Sequence, residues 1–177
     1  AYKSQRHIAE CLDDLLRQTI ADKLEIVVVD SGSPENESEI VQRYQQKYSN
    51  IKYIRTEKRE SVYQAWNRGI KAATGKYITN ANTDDRHYPN ALEVMARTLD
   101  ENPDKALVYA RYVGVKEVDG ARVFYYDSPT KPYSYETLLA GQCLIGPQPM
   151  WRRSVHETCG YFDEGLISSG DVEFWLR

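Results

Sequence analysis

No stretch of this chain approaches the roughly 20 apolar residues that a membrane-crossing helix requires, and no charged-then-apolar opening marks a leader segment. Nothing in these residues is therefore expected to anchor or export the chain. Cysteine is scarce. Cys11, Cys143 and Cys159 are an odd number without metal-type spacing, so they read as reduced thiols, with Cys11 on the apolar face of a helix. Histidine is as sparse, and His7, His87 and His156 offer no pair at zinc-ligand spacing. Basic excess is missing too. With 23 Lys and Arg against 26 Asp and Glu, a net charge of -3 and a pI near 5.7, no field exists to hold a polynucleotide backbone, and nucleic acid is disfavoured as a partner. The ten glycines form neither Gly-x-Gly-x-x-Gly nor Gly-x-x-x-x-Gly-Lys-Ser/Thr, so no glycine loop cradles a phosphate at a helix start.

What is present suits one domain over residues 1–177: the length supports a proper core. Hydrophobic residues at 41% and charged residues at 28% match ordinary globular usage and indicate neither disorder nor a fibrous repeat. Ile8, Cys11, Leu12, Leu15, Leu16 and Ile20 recur at helical spacing. Leu24 to Val29 is an apolar, β-branched run, as in a strand covered on both faces. A helix through Ile40, Val41, Tyr44 and Tyr48 follows, then a strand at Ile51–Ile54. A third helix from about Val62 to Ala73 presents Val62, Trp66 and Ile70, with Gly75 as its left-handed terminator. Lys76 to Ala81 alternates as a strand, and Pro89 opens a helix with Leu92, Met95, Ala96 and Leu99 on one face. Ala106–Val115 and Ala121–Tyr126 read as strands about an Asp119-Gly120 turn. Such alternation predicts an α/β fold with a mostly parallel central sheet flanked by helices.

In a sheet of that kind, ligands bind beyond the carboxyl ends of the strands. Asp30 ends one strand, and Asp84-Asp85 follows another. On its own an Asp-Asp pair is more often a solvated turn leading into a helix cap. Without a glycine loop, however, a bound diphosphate needs a cation, and adjacent carboxylates are hard ligands suited to magnesium or manganese.

These residues carry a resemblance to the family-two glycosyltransferases and their nucleotide-sugar-binding GT-A fold. Ile8 to Thr19 resembles the family's first helix. Val28-Val29-Asp30-Ser31-Gly32-Ser33 is similar to its Val-Val-Asp-Asp-Gly-Ser turn, with Ser31 in place of the second Asp. Ala65-Trp66-Asn67-Arg68-Gly69-Ile70 resembles Ala-Arg-Asn-x-Gly-Ile with Trp66 where Arg is usual, and Thr83-Asp84-Asp85 resembles the Asp-x-Asp element with Asn82 at the first Asp of its longer form. Gly146 to Arg153, Gly160 to Glu164 and Gly170 to Arg177 resemble the acceptor half. The family's first strand is absent ahead of Ala1, so the chain reads as truncated at both ends, with a sheet edge open to a homodimer.

The resemblance implies a nucleotide-binding half at 1–100 and an incomplete acceptor half at 101–177. It implies nucleotide contacts from Tyr2, Asp30, Asn67 and Asp84, a manganese or magnesium ion on Asp84 and Asp85, and Asp171 as the catalytic base. Trp151 is a candidate acceptor-stacking residue, weighed against a buried anchor. Ser-Ser-Gly-Asp before Val172 reads equally as a plain helix cap. The implied activity is metal-dependent, inverting transfer from a nucleotide diphosphate sugar, first of all a UDP-sugar, to a glycan or lipid-linked acceptor in cell-surface polysaccharide synthesis. The implied location is cytoplasmic, with peripheral attachment at the inner membrane face left open. A nucleotide-binding fragment without catalysis, or a partner-binding domain, stands as the alternative, and a sugar-nucleotide pyrophosphorylase is disfavoured because no Arg- and Lys-bearing glycine loop lies near the start.

Overall fold

Helical spacing has the expected effect at the start of the chain. In the computed structural model, which describes residues 1–177, α1 (Gln5–Leu16) buries Ile8, Cys11, Leu12 and Leu15. Ile20 lies past its end, in a turn that still packs on the core. The β-branched run becomes β1 (Ile26–Asp30), followed by α2 (Glu37–Gln45), β2 (Ile51–Arg55), α3 (Val62–Ala72) and β3 (Tyr77–Thr79). Then come α4 (Ala91–Glu101), β4 (Leu107–Val108), β5 (Tyr112–Val118), β6 (Ala121–Ser128), α5 (Tyr135–Leu139), β7 (Met150–Arg152), α6 (Val155–Thr158) and α7 (Gly170–Leu176).

The architecture is α/β, but only β1 and β2 form a parallel ladder, running from Ile26 opposite Ile51 to Asp30 opposite Arg55. β7 pairs antiparallel with both β3 and β4. The run Ala106–Val115, expected as one strand, therefore splits: Leu107 and Val108 join β7, while Tyr112 onward pairs with β6 as a separate hairpin. That hairpin stands largely in solvent, with Phe124 62% and Tyr125 65% exposed, so its apolar residues mark no buried face. Its turn is as expected, Asp119 and Gly120 both having positive φ. Gly75 is not left-handed; α3 ends instead at Ala73 in an extended conformation. The buried stripe of α3 is also one residue off the expectation. Tyr63, Asn67 and Ile70 are buried, whereas Val62 is 47% exposed.

Glu25, just before β1, accepts a 2.7 Å hydrogen bond from the backbone of Thr74, just before β3. The two strands thus start at one end of the molecule and finish at the other. They do not pair. Between them lies an apolar slot of about 510 Å³, walled by Val28 of β1, Ile78 of β3, Leu12 of α1 and Gly69 of α3. At its far mouth Ala1 donates to Val29 and accepts from the backbone of Ser31 at 2.9 Å, a parallel-ladder pattern along the free edge of β1.

Two apolar clusters hold this frame. One gathers α1, α2, α4 and the strands around Leu12, Val41, Leu92 and Leu99. The other is aromatic: Tyr63, Trp151, Phe162 and Phe174, with the Phe162 and Phe174 ring centroids 4.5 Å apart. Burying each such ring is worth about 1.5–3 kcal/mol. This second cluster joins α3 to the segment before α7, and so fixes where the C-terminal residues stand relative to the strand ends.

Candidate functional site

At the end of β1, Asp30 is fully buried. One of its oxygens accepts from the backbone of Ser33 at 2.8 Å; the other accepts from the Tyr53 hydroxyl and from Arg55 Nη1. Burial, then the bond to Asp30, pushes the Tyr53 phenol above its ordinary range. Both oxygens of the carboxylate are held by donors of the protein, and neither meets solvent. The expected contact of Asp30 with a base or ribose is therefore corrected to a structural role, because no oxygen faces solvent. Arg55 also donates to the Ser33 carbonyl at 2.7 Å, so the ion pair stiffens the turn after β1. Tyr2 stands beside that turn, half-buried, with the Arg59 guanidinium 4.3 Å from its ring centroid.

The second strand end carries Asp84, exposed, and Asp85, half-buried. Asp85 Oδ2 accepts from Asn82 Nδ2 at 2.8 Å. Arg86, next in sequence, turns away from both carboxylates: Nη1 donates to the Thr83 and Asp85 carbonyls, and Nη2 to Glu10 at 2.7 Å. Arg122 on β6 joins the same Glu10. Hydrogen bonds from Arg86 and then Arg122 hold the Glu10 carboxyl down at about 2, and they clamp the loop after β3 between α1 and the hairpin.

No three His, Cys, Asp or Glu side chains converge as a complete metal cage. A pair of adjacent carboxylates, Asp84 exposed and Asp85 half-buried, suits a hard cation that takes its remaining ligands from phosphate and water. Asp84 and Asp85 are the residues that would hold one.

Asp171 lies in the first turn of α7, half-exposed. Ser169 before it is left-handed, with φ 60°, and makes no side-chain cap, so the plain cap reading does not hold. Instead the Tyr63 hydroxyl accepts from the Gly170 amide at 2.7 Å and lies 3.4 Å from Asp171 Oδ1. Tyr63 is in the first turn of α3, which Ser61 starts through a capping box with Gln64. Ser31 Oγ in turn bonds the Glu60 carbonyl at 3.1 Å. A chain of contacts thus runs from the end of β1 through the start of α3 to Asp171.

Two expected contacts fail on burial. Asn67 is 1% exposed; its carboxamide donates to Phe162 O at 2.8 Å and Glu164 Oε1 at 2.9 Å and accepts from Phe162 N at 3.0 Å. It ties α3 to the loop before α7 and cannot reach a nucleotide. Trp151 is 2% exposed, its indole N–H donating to His156 Nε2 at 2.9 Å. It is an anchor of the aromatic cluster with no free face for a sugar. Sequence reasoning missed Arg55 and Tyr63. Arg55 shares a strand face with Tyr53, two residues away, a signal present in the local pattern. Tyr63 carried none beyond its place in a helix.

Comparison with known proteins places these features in a family. The glycosyl transferase family 2 model matches residues 1–160. Glycosyltransferase GlyG of Streptococcus pneumoniae serotype 4 is 32% identical over 124 residues, covering 70% of this chain and 40% of that protein. An uncharacterized glycosyltransferase of Methanocaldococcus jannaschii is 26% identical over 177 residues, covering 98% of this chain and 60% of that protein. Among solved structures, Staphylococcus aureus TarS 1-349 in complex with UDP superimposes with a TM-score of 0.78 at 24% identity, over 98% of this chain and 51% of that one. The mannosyltransferase PcManGT from Pyrobaculum calidifontis, in complex with GDP-Man and Mn2+, gives 0.73 at 20% identity, over 98% and 48%. Both share the GT-A fold. The chain spans about half the length of the proteins it matches.

Proposed function

The chain belongs to glycosyl transferase family 2, and we propose that it takes part in metal-dependent, inverting transfer of a sugar from a nucleotide diphosphate donor to a glycan or lipid-linked acceptor, as in cell-surface polysaccharide synthesis. The observation that carries the reading is the half-exposed Asp171, tied through Tyr63 and the start of α3 to the turn after β1. Asp171 takes the proton from the acceptor hydroxyl as that oxygen attacks the anomeric carbon from the face opposite the departing diphosphate. A magnesium or manganese ion on Asp84 and Asp85 would supply the positive charge that the departing diphosphate needs. Tyr2 flanks the donor base. Asp30 contributes rigidity to the turn below it and no direct contact. A uridine donor is favoured by the neighbour solved with UDP, and manganese by the one solved with Mn2+.

A thermal-shift panel tests this: uridine, guanosine and thymidine diphosphates, each with and without manganese, since a ligand bound only by the folded state raises Tm. The expected result is a manganese-dependent rise for uridine diphosphate that Asp85→Ala abolishes, with the unliganded Tm nearly unchanged. Equal shifts in wild type and Asp85→Ala would remove the pair from the site. A nucleotide shift with no donor hydrolysis or transfer, unchanged by Asp171→Asn, would favour the reading of a nucleotide-binding fragment without catalysis.

A further inference from the structure

We propose that Tyr63 is a positioning residue for the Asp171 carboxylate, its ring filling the space that Gly170 leaves and its hydroxyl bridging the Gly170 amide and Asp171. The role rests on the reading of Asp171 as the base. Three independent features of the fold meet at this point. Tyr63 is 4% exposed and held by Trp66 and Phe162, with ring centroids 5.8 Å and 6.0 Å away, so its hydroxyl has one fixed position. Gly170 is buried, and a Cβ there would fall 2.7 to 3.0 Å from three ring atoms of Tyr63; only glycine lets α7 approach so closely. Ser169 adopts φ 60°, a conformation disfavoured for a residue with a side chain, and by doing so aims the Gly170 amide at the Tyr63 oxygen.

The hydrogen-bond arithmetic gives the hydroxyl one task. Its oxygen accepts from Gly170 N at 2.7 Å, which leaves its single proton for Asp171 Oδ1 at 3.4 Å. Burial and then the nearby Asp171 charge push the Tyr63 phenol above its ordinary range, so that proton stays in place at neutral pH. Tyr63 is thus the donor that selects which carboxylate oxygen remains free, and the helix that carries it starts beside the turn after β1.

The test is Tyr63→Phe, which keeps the ring and removes the hydroxyl, read by the carbon-13 NMR resonance of the Asp171 carboxyl at constant pH together with uridine diphosphate release from UDP-GlcNAc. The Asp171 carboxyl resonance is expected to move at constant pH, because a hydrogen bond to one of its oxygens is lost, and Gly170 amide exchange to quicken. Turnover is expected to fall ~10- to 100-fold in kcat with KM for donor within about twofold, as misplacement of a reacting group costs rate more than binding. Gly170→Ala, which drives the ring aside without touching the hydroxyl, is expected to give the same kcat-selective loss. An Asp171 carboxyl resonance unmoved by Tyr63→Phe overturns the role whether or not turnover is seen. Wild-type turnover in Asp171→Asn would instead remove the base reading, a separate outcome.

Discussion

Asp30 and Arg55 face each other across the last rung of the only parallel ladder, and their side chains form an ion pair in which the carboxylate is fully enclosed and the guanidinium still meets solvent. Such a carboxylate is part of the frame. Asp30→Asn leaves Arg55 without its counter-charge and misaligns donors from Tyr53 and Ser33, and is expected to cost about 1–3 kcal/mol. The partial exposure of Arg55 keeps this below the loss for a wholly buried pair. Urea denaturation of the unliganded chain should show a lower midpoint at an unchanged slope. An unchanged midpoint would mean that Asp30 is free for a ligand after all.

Gly69 lines the apolar slot from α3, where its helical backbone gains nothing from being glycine. A Cβ there would meet Val29 Cγ2 at 3.5 Å, an ordinary contact. Gly69→Ala is therefore expected to stabilise the chain by about 0.5–1 kcal/mol through helix propensity, raising Tm by about 1–4 °C. A fall in Tm would show that the slot closes more tightly than its 510 Å³ suggests.

Elements whose apolar residues face one side are legible in the amino-acid pattern alone. The stripe of α1, the run of β1 and the Asp119-Gly120 turn each follow from period or backbone preference. Asp84 and Asp85 stood out at a strand end, Asp171 came in through resemblance, and the neighbours of all three were not legible. Asn67 and Trp151 failed as ligand contacts because burial depends on residues some 90 positions away or on α6, which local pattern does not contain. The hairpin β5–β6 escaped division from β4 because a solvent-exposed ribbon has no buried face to set a period. Tyr63 was hidden for a further reason: its partner is a glycine, and a missing Cβ leaves no mark in a hydrophobic pattern.

Asn67 links α3 to the Phe162–Glu164 segment by three hydrogen bonds from one buried carboxamide. Asn67→Ala leaves both the N–H and the C=O of Phe162 without these partners, and the expected cost is about 2–3 kcal/mol, or about 4–10 °C in Tm. Hydrogen exchange should quicken at residues 160–166 ahead of the rest of the chain. Uniform quickening would mean that the loop is held by the aromatic cluster and not by Asn67.

His156 makes stability depend on pH in a direction that its surroundings fix. Its Nε2 accepts from the Trp151 indole at 2.9 Å, so Nδ1, 2.7 Å from the Gly160 carbonyl, carries the proton of the neutral ring. A second proton would have to take the lone pair that Trp151 uses. Burial lowers the His156 pKa in the fold, and burial lowers that of His87 as well. A depressed histidine contributes stability in full above its unfolded value of about 6.5, and loses it as pH falls from there through its lowered folded value. Glu10, held at about 2 in the fold against an ordinary 4.5, acts in the same direction but only below about pH 4.5. The urea midpoint should therefore fall between about pH 7.5 and about pH 5, ahead of any carboxylate effect. His156→Phe should start from a lower midpoint, since the Trp151 N–H loses its acceptor, yet show a shallower fall over that interval. A slope equal to the wild type's would assign the pH dependence to groups other than His156, His87 behind Asp14 among them, and leave the Trp151–His156 bond without a part in it.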